Sequence, residues 1–265
     1  MKEDEEPTEI TTEQLGQRLA SIDHFSMMIC APRRSGKTWL SAHLLWELDE
    51  YKDFDMVMLF SGTAFNGQWK MIPKKYKFEG WNNQNAEIIE NVMNRQRDII
   101  EHNESTEEPD QKPIPRILMI FDDIMGGSEG NLWQGKKANT MQKIFYMGRH
   151  LHISTIVILQ KFKGMSTIRS NADILAIFRT PSHIERRDTI DAHLTCESCD
   201  PEQRRKCERF YENCFKTKHH CCIIDLAGRH GMKCLKNYCY SLLAPSEETP
   251  NFGMGPEHHW AKSSD

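Results

Sequence analysis

Residues Ala31-Pro-Arg-Arg-Ser-Gly-Lys-Thr38 decide how this chain is read. A short apolar run, Ser26-Met-Met-Ile-Cys30, leads in, and Leu40, Leu44 and Leu48 mark one face of a helix leading out. A strand, a short loop ending in Lys-Thr and a helix are the layout of a phosphate-binding P-loop. Unpaired amides of the loop and the dipole of the helix N-terminus both point at the anion. Lys37 is placed to reach the β- and γ-phosphates, and the Thr38 hydroxyl to hold Mg²⁺. Pro32, Arg33, Arg34, Ser35 and Gly36 supply the rest of the cradle. Ala31 stands where the pattern carries glycine, which predicts a slightly altered start to the loop. The implied ligand is ATP with Mg²⁺.

Further along, Arg116-Ile-Leu-Met-Ile-Phe-Asp-Asp123 is an apolar strand ending in two carboxylates. Mg²⁺ requires a carboxylate at the carboxyl end of a strand facing the P-loop. Asp122 is the candidate for that role, and Asp123 for the group that polarises an attacking water. Aspartate is one methylene shorter than the glutamate many ATPases use there, so the water would sit closer or Asp123 would only support the site. Ile153-Ser-Thr-Ile-Val-Ile-Leu-Gln160 follows as another strand. In motor-type ATPases an additional strand separates the P-loop strand from the acid-bearing one. If this segment is that strand, Gln160 lies beside the γ-phosphate as a polar sensor. Arg149, just before it, is the first candidate for an arginine supplied to a neighbouring subunit's phosphates, and Arg169 the second. Arg149 also has a blander role open to it, as a cation at a helix C-terminus.

Apolar and polar segments alternate as strands and helices along the chain, which predicts a mainly parallel sheet covered on both faces. The expected fold is therefore a three-layer α/β/α P-loop NTPase of the additional-strand, motor type, with a small Cys-rich insertion. Residues 1–23 are expected to form an acidic arm with a short helix opened by the capping box Thr11-Thr-Glu-Gln14. Residues 24–243 form the ATPase domain, with the Cys-rich insertion at 195–221, and 244–265 a disordered tail. The formal net charge of −4 argues against a broad nucleic-acid-coating face. No stretch approaches the ~20 apolar residues of a membrane span. Nine cysteines, an odd number, argue against a closed disulfide framework.

Ala31–Thr38, Ile117–Asp123, the run Gly148-Arg-His, Ile153–Gln160, Ile168-Arg-Ser-Asn171 and Phe178-Arg179 occur in that order. With them the chain resembles the genome-packaging ATPases of large nucleocytoplasmic DNA viruses, the poxvirus-type branch of the FtsK/HerA superfamily. The resemblance spans about Phe25 to Leu243. It implies a ring of five or six identical subunits that drives double-stranded DNA into a preformed capsid, with capsid or portal vertex proteins as partners. It implies action in the host cytoplasm, at the virus factory, with the virion left open. Lys37, Thr38, Asp122, Asp123 and Gln160 match the family's functional positions, and Arg149 matches less closely. A ring grips DNA through its pore, so a few basic residues per subunit suffice. Lys136 and Lys137 in the Gly-rich stretch, and Lys161 and Lys163 after the sensor strand, are candidates for that lining.

Six of the nine cysteines fall between Cys196 and Cys222. Cys196-x2-Cys199 with Cys207 and Cys214 could supply four ligands to a structural Zn²⁺. The competing reading places Cys207 and Cys214 as buried thiols on one helix face. Two other functions remain open on the sequence: a P-loop nucleoside or nucleotide kinase, and a capsid-associated protein that binds nucleotide without turnover.

Overall fold

The computed structural model describes residues 6–124, 135–161, 166–195, 199–228 and 235–256. In chain order the strands are β1 (Thr8–Ile10), β2 (Ser26–Cys30), β3 (Met56–Ser61), β4 (Lys77–Glu79), β5 (Ile117–Asp122), β6 (Ile153–Leu159), β7 (Ile174–Phe178), β8 (His220–Asp225) and β9 (Cys239–Leu243). The helices are α1 (Thr12–Ala20), α2 (Lys37–Tyr51), α3 (Asn83–Glu104), α4 (Gly135–Met147), α5 (Ser166–Ser170), α6 (His183–Thr189) and α7 (Pro201–Asn213). One sheet holds the strands in the order β1-β9-β8-β7-β2-β6-β5-β3-β4. Only β8 runs against the others, pairing antiparallel with β7 and β9. As expected, β6 separates β2 from β5.

The central strands read as continuous apolar runs because both of their faces are covered. Successive side chains alternate between two cores. Met28, Cys30, Met119, Phe121, Val157 and Leu159 pack on the face covered by α3, α4 and α7. Met27, Ile29, Leu118, Ile120, Ile156 and Ile158 pack on the face covered by α1 and α2. Near Asp122 the first core is aromatic: Phe60 stacks on Phe121 at 5.2 Å, and Trp81 meets both rings edge-on. Helices α1 and α2 approach closely at Gly16, where a Cβ would lie 2.6 Å from that of Glu47.

Both chain ends differ from their sequence expectation. The Thr11–Gln14 capping box forms, but ahead of it β1 pairs with β9, so the arm from Thr8 onward belongs to the sheet. Arg18 on α1 makes a two-point contact with Asp225 of β8, at 2.7 and 3.2 Å. Beyond β9, expected to be disordered, residues 245–256 strap across α2 and the segment before α3. His43 Nε2 bonds the Glu247 carbonyl, Lys70 donates to Asn251, and Met254 is buried with its N–H on the Met71 carbonyl.

The expected zinc ligands do not gather. Cys196 lies outside the described residues. Cys207 and Cys214 are buried on the inner face of α7 with Phe210 and Tyr211, and their thiols donate to the carbonyls of Leu194 and Phe210. Among the described residues no three metal-ligating side chains come together. A seven-residue spacing on a helix suits ligands and core residues alike, and here burial makes Cys207 and Cys214 core residues.

At the amino edge of the sheet the rings of His24 and His152 lie 4.5 Å apart. Burial, then His152 and Lys52, hold the His24 imidazole down to a pKa of about 4. A histidine with a depressed folded pKa stabilises the fold fully above its unfolded value, near 6.5, and loses that contribution as pH falls toward 4. Melting temperature should therefore drop between pH 6.5 and 4 by about 2–4 °C more in the wild type than in His24→Gln, for a screened contribution of about 1 kcal/mol. Equal pH slopes in the two proteins would remove His24 from the acid response.

Candidate nucleotide-binding site

At the carboxyl edge of the sheet, β2 ends in the 31–38 loop. The Ala31 N–H donates to the Leu159 carbonyl at 2.9 Å, and the Ala31 methyl is fully buried in the core below α2. Ala31 thus continues the strand and has a negative φ, so its backbone makes no demand for glycine. The demand falls later, on Gly36, which adopts φ +101° as the N-cap of α2. A Cβ there would meet Ala244 at 3.1 Å, on a backbone that L side chains rarely adopt. Arg34 is left-handed too, at φ 62°, and Ser35 Oγ closes the turn on the Pro32 carbonyl at 2.8 Å. Such alternation turns successive N–H groups to one side, forming a concave anion nest at the start of a fifteen-residue helix.

Lys37 and Thr38 open α2 beside this nest. Across from them Asp122 closes β5, only 6% exposed, and accepts a 3.1 Å bond from Ser61 Oγ at the end of β3. Burial pushes the Asp122 carboxyl up; the Lys37 ammonium and the Ser61 hydroxyl pull it back only in part, and Asp123 adds to the rise. A buried carboxylate short of positive charge, with the Lys37 ammonium acting on it, fits a divalent cation, which would offset its desolvation.

Asp123 has φ +48°, and its Oδ1 accepts 2.7 Å from Gln160 Nε2. The strand order brings these two together, since each is the first residue beyond the end of a neighbouring strand. Left-handed backbone at a non-glycine residue is costly; two of the three such residues among those described, Arg34 and Asp123, belong to this site, and the third, His152, lies at the amino edge. Arg149 is elsewhere. It is exposed at the amino edge, on the turn before β6, with Nε on His150 Nε2 at 3.3 Å. The seven residues of β6 put it about 20 Å from the P-loop of its own chain. Arg169 instead lies close to the end of β2, where its charge acts on the buried Cys30 thiol.

Two expected DNA contacts are occupied within the chain. Lys136 pairs with Glu87 and Glu90 of α3, at 3.7 and 3.8 Å, and Lys137 is buried at 6% exposure, because α4 packs against the acidic side of α3. Lys161 is exposed, while Lys163 lies outside the described residues. Sequence reasoning missed Ser61 and His219. The latter sits before β8 and bonds the Ser35 carbonyl through Nδ1 at 3.1 Å. It also missed Glu248 and Thr249, which line a cavity of about 240 Å³ beside Thr38. No local motif marks these residues. Their neighbours in the site are distant in sequence, and are brought near by strand order for Ser61 and His219 and by the strap beyond β9 for Glu248 and Thr249. Among the described residues no helix is long and apolar enough to cross a membrane.

The family model described as Poxvirus A32 protein matches residues 15–186. The genome packaging NTPase B204 of Sulfolobus turreted icosahedral virus 2, in its sulfate complex, is 13% identical with a TM-score of 0.50, over 85% of this chain and 98% of that one. EssC (ATPases 2 and 3) of Geobacillus thermodenitrificans is 12% identical with a TM-score of 0.53, and the match covers 85% of this chain but 41% of that one. The cytoplasmic domain of the type VII secretion ATPase EccC of Thermomonospora curvata is 15% identical with a TM-score of 0.52, over 88% of this chain and 28% of that one. At such identities these likenesses establish a shared fold. No curated protein matches the chain.

Proposed function

The chain belongs to the poxvirus A32 protein family, and from that premise we propose that it is the ATPase of a motor that drives viral double-stranded DNA into a capsid. The observation that carries the reading is the 2.7 Å bond between Gln160 and Asp123, the residue next to the buried Asp122 on which the Lys37 charge acts. It joins a candidate water-orienting carboxylate to a candidate phosphate sensor within one site.

In this reading the 32–38 loop and Lys37 bind the triphosphate, and Thr38 with Asp122 would hold Mg²⁺. When bound, Mg²⁺ would neutralise charge on the terminal phosphates. Gln160 holds Asp123 in place and reports the γ-phosphate, and Asp123 orients the attacking water. Arg149, too far from its own P-loop, completes the site of a neighbour in a head-to-tail ring. Contact with DNA runs through phosphates and needs no base code; exposed Lys161 is a candidate. Capsid or portal proteins are the partners, and the host cytoplasm is the place of action.

The test measures ATP turnover at assembling concentrations, with and without double-stranded DNA. Arg149→Ala should abolish the DNA-stimulated rate. Mixing Arg149→Ala with Lys37→Ala at equal amounts should restore part of it, since about a quarter of head-to-tail interfaces then join an intact Lys37 to an intact Arg149. Absence of recovery would end the trans role of Arg149, and absence of any DNA stimulation in the wild type would end the translocase reading.

A further inference from the structure

The P-loop has cavities on two sides. Toward β7 and β8, one of about 380 Å³ lies between Pro32–Ser35 and a wall of residues 215–218, and it is part of the nucleotide site. The other is the cavity of about 240 Å³ beside Thr38, which the reading of the nucleotide site leaves without a role. It is bounded by Trp39 and Ala42 on the first turns of α2, by Gln68 and Met71 in the segment after β3, and by Glu248 and Thr249 of the strap. Its volume falls below the ~300 Å³ at which small-molecule sites begin. It suits a single aromatic side chain.

Two pairs of exposed apolar side chains stand at opposite edges of the sheet. Trp39 is exposed at the cavity, and Phe65, two residues before the cavity-lining Gly67, is 61% exposed. At the amino edge, Tyr146 and Met147 are exposed at the end of α4, Tyr146 by 49%. Neighbouring apolar side chains left in water mark interaction surfaces. Arg149 follows Tyr146 by three residues, a spacing that puts two side chains on one side of an α- or 3₁₀-helical turn. The charges of the two edges are opposite in sign. Glu247 and Glu248 are exposed at the cavity with no cationic partner among the described residues, and exposed Arg149 has no acidic one. The length of β6 keeps the two pairs apart within one chain. A second copy placed head to tail brings them together.

We propose that Tyr146 of one copy inserts into the cavity beside Thr38 of the next, with Met147 against the exposed faces of Trp39 and Phe65. The proposal rests on the head-to-tail reading of Arg149 and names the seat that aims it. A ring held between Trp39 and Met71, with Gln68 and Thr249 near its hydroxyl, is an aromatic anchor in a desolvated pocket. Anchors of that kind carry most of an interface's energy. With Tyr146 seated next to Thr38, Arg149, one helical turn away, comes level with the neighbour's terminal phosphates. Glu247 and Glu248 attract the incoming cation and set its orientation. The strap thereby becomes one wall of a receptor, and Glu248 and Thr249 lie outside the family-matched residues 15–186.

Sedimentation of the full chain with Mg²⁺ and the β,γ-imido analogue of ATP tests the contact apart from turnover. Tyr146→Ala removes the exposed ring, and Thr249→Trp fills the cavity from the strap; each should melt within about 3 °C of wild type. Each alone should raise the concentration needed for assembly by at least about tenfold, whereas Tyr146→Phe, which keeps the ring, should stay within about threefold of wild type. Mixed in equal amounts, Tyr146→Ala and Thr249→Trp should form a one-to-one dimer and nothing larger, because only one pairing joins an intact Tyr146 to an intact cavity. Assembly of either variant at the wild-type concentration, or a mixture that stays monomeric, overturns the proposal and leaves the ring reading in place. A wild type that stays monomeric overturns the head-to-tail reading and the proposal together.

Discussion

Lys37→Ala should lower ATP turnover by about 10²–10³-fold, the usual loss when a preorganised charge on the reacting group is removed. The ammonium stands at the first residue of α2, between the anion nest of Arg34–Gly36 and the buried Asp122. Removing it subtracts positive charge where phosphoryl transfer accumulates negative charge. It also leaves Asp122 with less to oppose its desolvation, so that carboxyl is pushed further up and becomes a poorer Mg²⁺ ligand. The fold has little at stake, because Lys37 contributes no core packing. Melting should stay within about 3 °C of wild type. Steady-state hydrolysis with a melting curve on the same sample checks both halves. A variant that keeps more than about a tenth of the activity would remove Lys37 from the phosphates.

Phe121→Ala should cost about 3–5 kcal/mol of stability, the range for truncating a fully buried phenylalanine. The ring is 0% exposed, stacked 13° from parallel on Phe60 and edge-on to Trp81. The cavity left behind cannot collapse easily, because its walls belong to the adjacent strands β3 and β5 and to the segment before α3. The next residue is Asp122, whose bond to Ser61 spans the same two strands. Loss of the ring therefore loosens the seat of the Mg²⁺ carboxylate as well as the core. Urea unfolding measures the stability change, and Phe121→Leu, which keeps most of the apolar volume, should recover more than half. A cost below about 1 kcal/mol would mean the aromatic cluster is more plastic than its packing indicates.

The parts of the site legible in sequence were those built from contiguous residues. The P-loop, the Asp122-Asp123 strand end and the Gln160 strand end each follow an apolar run, and a buried parallel strand has to read that way. Even the order β2-β6-β5, a long-range property, could be anticipated, because an apolar strand following the Asp122-Asp123 strand matches the additional strand of motor-type ATPases, and the place of Gln160 followed from it. Three kinds of feature were not legible. Edge strands β1 and β4 are three residues each, too short to show a period. Ser61, His219 and the 245–256 strap reach the site through partners far away in sequence. Chemistry also misled where burial decides: Cys207, Cys214 and Lys137 are residue types associated with function, and packing turns all three inward.

The reversed direction of β8 has one more consequence. Because it alone runs from the carboxyl edge toward the amino edge, it begins at the P-loop, and its approach supplies both His219 and the wall at 215–218. The segment that carries the family match, 15–186, stops before that wall begins. It also stops with β7 paired on one side only, its outer backbone groups open to any passing strand. The stretch most characteristic of the family is therefore not a self-sufficient unit. The chain's last two strands, β8 and β9, cover that open edge, and the approach to β8 closes the cavity beside the P-loop, so one stretch of about thirty residues, 215–243, serves both ends.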